Sequence, residues 1–263
     1  AWVAQLFPDA RAPLVALRDE TTADLRLFRY KDEQVKRRAS KLSLSAEEVA
    51  AAVSDGEALL ARHGLSNLPT ERELADLGLA LLDGDRNDEL NQLLRWLSAR
   101  REALLAAGHL AWRLPKATDY AQLVPLRRPD PSLPEALCGH EKDQRRRDGF
   151  ALTDPRKSRL EVLAEVDYCM YCHERSKDSC QKGMRDKSGA VKQNPLGAPL
   201  HGCPLGEKIS EMHTLRRQGD PLAALSLVML DNPMCAGTGH RICNDCMKAC
   251  IFQKQDPVNI PEI

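Results

Sequence analysis

A chain of 263 residues with 38 basic and 38 acidic side chains and a pI near 7.2 carries no excess charge to meet a polyanion, so nucleic acid and anionic membrane are not expected partners. Its longest apolar stretch, Leu222 to Leu230, is broken by Ser226 and is about half of what a bilayer span requires. Ala1-Trp2-Val3 does not open a secretory signal, and a soluble, cytoplasmic protein with no membrane contact is expected.

In chain order, the first pattern is a helical segment from about Thr22 to Lys41. Ser45-Ala46-Glu47-Glu48 reads as a capping box, predicting a helix that runs to His63 and stops at Gly64. A second box, Thr70-Glu71-Arg72-Glu73, opens a helix with Leu74, Leu77, Leu81 and Leu82 on one face. Asn87 is expected to cap a longer helix bearing Leu90, Leu93, Leu94, Leu97, Leu104 and Leu105, closed by Gly108. Residues 1–114 therefore read as a helical bundle.

Prolines at 115, 125, 129, 131 and 134 are too frequent for a helix interior and suit no central strand. With the charged run between Gly139 and Gly149, they predict a surface connector over residues 115–153. A second helical region, 154–263, is expected to begin with Asp154 as cap and Pro155 at the first helical position. Its first helix carries Leu160, Leu163 and Val166 and leads to Tyr168-Cys169. Another bears Ile209, Met212 and Leu215 and stops at Gly219. The next starts at Asp220-Pro221 and is ended by Asn232-Pro233. Strand signals are weak throughout, so the expected fold class is all-α.

Eight of the nine cysteines lie in this second region, in two runs: Cys169, Cys172, Cys180 and Cys203-Pro204, then Cys235, Cys243, Cys246 and Cys250. Disulfide frameworks belong to small secreted chains, so reduced thiolates for metal are expected. In Cys-x2-Cys, one tight turn offers two thiolates while the intervening backbone N–H groups point at sulfur. Cys246 and Cys250 stand nearly one helical turn apart, a spacing that can send one thiolate to each of two centres. Proline after Cys203 is similar to the bacterial ferredoxin pattern. Two zinc sites of four cysteines each remain the alternative, in a zinc-stabilised helical module that recruits a protein partner. His173, His201 and His240 are expected beside the metal or on the surface, and Cys138, near His140, as a free thiol. Lys177, Lys208, Arg241 and Lys248 are candidates to offset anionic centres.

Residue identity adds to spacing. Cys203-Pro204-Leu205, Lys208-Ile209, the run Gly219 to Leu225, Asp231-Asn232-Pro233, Gly239, Cys243, Cys246-x3-Cys250 and Pro257-Val258-Asn259-Ile260 form a recognisable series. Residues 155 to 263 thereby resemble the N-terminal iron–sulfur domain shared by the glutamate synthase small subunit and dihydropyrimidine dehydrogenase. The resemblance implies an α-helical ferredoxin-like domain carrying two [4Fe–4S] clusters for electron transfer. It assigns Cys169, Cys172, Cys180 and Cys250 to one cluster, and Cys203, Cys243 and Cys246 to the other. The fourth ligand of the second is either Cys235, which has no family counterpart, or a Gln or Glu beyond Ile263. The family runs Cys-x2-Cys-x4-Cys-x3-Cys-Pro, whereas here residues are inserted on both sides of Cys180, including the loop from Gln181 to Gly202.

The chain has no Gly-x-Gly-x-x-Gly after a strand and no nucleophile–base pair, so no catalytic residue is assigned. The resemblance places FAD and NAD(P)H on sequence outside this chain. The implied partner is a flavin-containing domain or subunit of the same oxidoreductase, similar to the glutamate synthase small subunit.

Overall fold

The computed structural model describes the chain except residues 1–4, 6, 7, 125, 142, 143, 145–148, 151–155 and 239–242. The first helices are α1 (Arg11–Tyr30), α2 (Ala46–Arg62), α3 (Glu71–Asp83), α4 (Asn87–Ala99) and α5 (Arg101–Ala106). A two-stranded antiparallel ribbon follows, β1 (Leu126–Arg127) paired with β2 (Cys138–Gly139). Then come α6 (Arg159–Tyr168), α7 (Ser179–Lys182), α8 (Ile209–Arg217), α9 (Pro221–Met229), α10 (Cys235–Thr238) and α11 (Asp245–Lys248). The fold is all-α. Among the described residues no helix is long and apolar enough to cross a membrane.

Local chemistry sets most of the helix ends. Ser45 and Thr70 each accept from the backbone N–H three residues on, while Glu48 and Glu73 accept from the cap backbone, so both expected capping boxes form. Asp220 caps α9 with Pro221 at its first position. The cap of α6 differs from expectation: residues 156–158 are not helical, and Ser158 with Glu161 forms the box that starts it. Asp154 and Pro155 lie outside the described residues. Asn87 is also not a cap, because Arg86 holds that position and makes no side-chain bond to the helix.

The N-terminal core is built from leucine. α2 packs against α4 and α1 against α3, burying Leu59, Leu60, Leu74, Leu93, Trp96 and Leu97 almost completely. Gly56 is what lets α2 approach α4: a Cβ there would stand 2.3 Å from the Trp96 Cβ. The Trp96 Cβ cannot swing aside, so Gly56→Ala is expected to destabilise the protein by about 1–3 kcal/mol. Thermal unfolding would read this as a fall in Tm.

Two stretches depart from their expected form. α1 begins at Arg11, well before Thr22, and is followed directly by a π-helical segment, Lys31–Lys36. It conceals polar groups on its inner face, Thr21 and Asp24, and these interrupt the apolar periodicity. The long helix expected after Asn87 breaks at Arg100 into α4 and α5. Its leucine pattern continues through the break, so the sequence carries no mark of it.

Buried Asp24 links the two halves, lying 2.5 Å from Arg72 of α3 and 2.8 Å from Arg159 of α6. The expected connector becomes a strap: Lys116 N–H donates to the Asp256 side chain at 3.0 Å and Thr118 N–H to the Lys254 carbonyl at 3.0 Å. The Tyr120 hydroxyl donates to the Gln253 carbonyl at 2.9 Å. These bonds fix residues 253–256, three residues and more beyond Cys250, the last cysteine.

Candidate metal centre

α6 delivers the chain to Cys169, whose extended conformation closes the helix. In the turn that follows, Tyr171 adopts the left-handed conformation, φ 48°, which costs a non-glycine residue about 1–2 kcal/mol. That turn aims the Tyr171 N–H at the Cys169 sulfur, 3.4 Å away. The Tyr171 hydroxyl donates back to the Val166 carbonyl at 2.9 Å, and the Arg217 guanidinium lies over its ring. A 3₁₀ turn, Cys172–Arg175, and left-handed Ser176 then carry the chain to α7, which presents Cys180.

Cys250 reaches the same place from the far end of the chain. Tyr168 stacks on Phe252 with ring centroids 4.4 Å apart and bonds the Asp256 carbonyl at 3.0 Å. Glu165 of α6 accepts from the Asn259 N–H at 2.9 Å. The strap and these contacts press the segment after Cys250 onto α6. Cys169, Cys172, Cys180 and Cys250 consequently line one small cavity of about 20 Å³, together with Ser210 and His213.

The other four cysteines line a second cavity. Cys203, Cys235, Cys243 and Cys246 surround about 600 Å³ whose remaining walls are mainly apolar, among them Leu205, Ile209, Met212 and Val228. Glu207 also faces it, accepting from the Asn232 amide at 2.8 Å. The Cys-x3-Cys spacing works differently from a continuous helical face. α11 ends at Lys248, so Cys246 lies on it and Cys250 in the turn beyond, and the two sulfurs enter different cavities.

The long interval between Cys180 and Cys203 closes on itself. Cys203 N–H donates to the Cys180 carbonyl at 2.7 Å, so the residues flanking the Gln181–Gly202 loop are neighbours. Gly183 and Gly202, both with positive φ, cross at the neck of the loop, and a Cβ on Gly202 would stand 2.5 Å from the Gly183 nitrogen. Gly202→Ala should cost more than about 1 kcal/mol through both strain and contact. Chemical denaturation would report it as an earlier midpoint.

Burial dominates the electrostatics of the thiols. It pushes Cys169 up to about 11 and Cys246 up to about 12, and raises Cys172, Cys203, Cys235 and Cys250 as well. Cys180 is raised further by burial and by Asp178, to which its thiol donates at 3.2 Å. Opposing this, backbone N–H groups of Phe252, Val258 and Ile251 favour the Cys250 thiolate, and those of Glu207, Leu205 and Gly206 favour that of Cys203. Such thiols stay protonated until a cation supplies the missing charge. None of the nine cysteines is in a disulfide. Among the described residues no group of three or more His, Cys, Asp or Glu is arranged to hold a metal ion.

The remaining candidates sort by contact. His173 lies against the Ser210 hydroxyl at 2.6 Å, His201 is exposed, and His240 and Arg241 lie outside the described residues. Lys208 and Lys248 pair with Asp231 and Asp245, and Lys177 is exposed. Cys138 sits on β2 with its sulfur 3.8 Å from the Arg127 carbonyl. Ser210, His213, Asp178 and Glu207 were not singled out from sequence. Ser210 and His213 follow directly on the apolar positions Ile209 and Met212 of α8, and that polar pair on a buried helix face was the available signal.

No protein-family description matches the sequence, and no solved structure matches it. The chain is 83% identical to Uncharacterized protein RP006 of Rickettsia prowazekii over 30 residues, 11% of this chain and 4% of that protein. It is 42% identical to Uncharacterized protein RP005 of the same organism over 65 residues, 22% of each. The chain thus spans less than a quarter of the length of the curated relatives it matches.

Proposed function

We propose that the chain is an electron-transfer domain whose two sets of cysteines each hold a [4Fe–4S] cluster, within a cytoplasmic FAD- and NAD(P)H-dependent oxidoreductase similar to the glutamate synthase small subunit. The observation that supports this most is the division of eight thiols into two fours, each set lining its own cavity. A lone tetrahedral ion needs its donors at bond length from one point, whereas a cubane takes each thiolate at a different iron. The first cavity is nearly filled by its own lining, so holding a cube there requires the cysteine side chains to swing outward.

When bound, such clusters supply one-electron relay over potentials tuned by sulfur hydrogen bonds and burial. The protein's residues would do the rest. Cys169, Cys172, Cys180 and Cys250 would hold one cluster, and Cys203, Cys235, Cys243 and Cys246 the other. Apolar side chains form most of the wall of the second site, which stays open to solvent at Cys243, and the backbone N–H groups facing Cys203 and Cys250 stabilise charge on sulfur. The Cys180 to Cys203 backbone bond keeps the two sites adjacent, as a relay requires.

Protein reconstituted anaerobically with iron and sulfide should be brown and bleach on reduction. A colourless product after reconstitution would overturn the reading.

A further inference from the structure

α8 presents two polar side chains, one turn apart, to the first cavity. Ser210 is buried, and its hydroxyl lies 2.6 Å from the His173 ring. His213 is only 1% exposed, lines the cavity beside the four cysteines, and neither of its ring nitrogens has a hydrogen-bond partner among the described residues. A buried imidazole without partners costs stability, commonly about 1–3 kcal/mol for the unmet group. A residue of that cost placed among thiols points to a partner that arrives with the metal.

We propose that His213 is a positioning residue of the first site, donating its ring N–H to a sulfur of the bound cluster and so raising that cluster's reduction potential. The inference rests on the cluster reading given above. An imidazole has at least one N–H to give in either protonation state, and His213 is buried against the cavity that holds the four thiols. Reduction adds negative charge to the cluster, and a donor aimed at sulfur stabilises the reduced form more than the oxidised one. In the second cavity α8 presents Ile209, Met212 and the Arg216 guanidinium, whose buried Nε likewise has no hydrogen-bond partner among the described residues, in place of an imidazole. α8 therefore gives the two sites different surroundings from one helix. With His213 favouring reduction of the first site, electrons would settle there in preference to what its thiolates alone would give.

The test uses the reconstituted full chain in two measurements. In a redox titration followed by electron paramagnetic resonance, His213→Leu should keep its iron and move one cluster to a more negative potential. A tenfold change in the one-electron equilibrium corresponds to about 59 mV, and a shift of that order is expected, with the other cluster unmoved. His213→Gln, which retains an N–H donor, should restore most of the shift. An unchanged potential in iron-loaded His213→Leu would overturn the inference.

The second measurement needs no substitution at His213, so it stands even if the leucine variant fails to fold. Wild-type protein labelled with ¹⁵N-histidine should show a weak nitrogen coupling to the reduced cluster in pulsed resonance, persisting in His173→Gln. No coupling, or one strong enough for direct iron–nitrogen ligation, would overturn it. A wild-type protein that takes up no cluster would instead sink the reading on which this inference rests.

Discussion

Cys250→Ser is expected to lower the iron of the reconstituted protein to about four per chain, half of what two cubes hold, while leaving the second cluster in place. Cys250 stands just past α11 and shares its cavity with Cys169, Cys172 and Cys180, whereas Cys246, on that helix, faces the other. Cys246→Ser should therefore remove the opposite half. Electron paramagnetic resonance of the two reduced variants would show complementary spectra that add up to the wild type. If both variants lost the same signal, the division of ligands between cavities would be wrong. The N-terminal core of α1–α5 contains none of these cysteines, so circular dichroism should retain its helical signal in both.

The second large effect concerns Cys235. The resemblance left the fourth ligand of the second set open between this cysteine and a residue beyond Ile263, while the fold puts Cys235, at the start of α10, on the wall of the cavity shared with Cys203, Cys243 and Cys246. Cys235→Ser should cost the second cluster, with loss of about four irons, whereas Cys138→Ser on the β-ribbon should cost none. Iron content measured after identical reconstitution checks both. Full iron content in Cys235→Ser would assign the fourth position to another group.

Much of the helical framework was legible because its determinants are local. Ser45 with Glu48, Thr70 with Glu73, and Asp220 with Pro221 each satisfy backbone groups within one turn, so their residue types announce the helix starts. The start of α1 was not legible, because Thr21 and Asp24 are polar residues on a buried face and Asp24 is accommodated only by Arg72 and Arg159 from distant segments. The break at Arg100 leaves the leucine spacing intact, and so leaves no trace in the sequence.

The sites divide in the same way. The Cys-x2-Cys turn and its N–H directed at sulfur were readable from spacing. The meeting of Cys250 with Cys169 was not, since it depends on Tyr168 stacking on Phe252 and on a proline-rich strap bonding residues 253–256. Likewise nothing in the inserted Gln181–Gly202 loop announces that its ends meet, which depends on Gly183 and Gly202 crossing at its neck. His213 carries no motif at all. Its significance comes from where α8 lies between the two cavities.

Iron, acid-labile sulfide and zinc counted together on the same anaerobically reconstituted sample test the central claim most directly. The account predicts about eight irons and eight sulfides per chain with no stoichiometric zinc. About two zinc ions without sulfide, or neither metal bound, would contradict it.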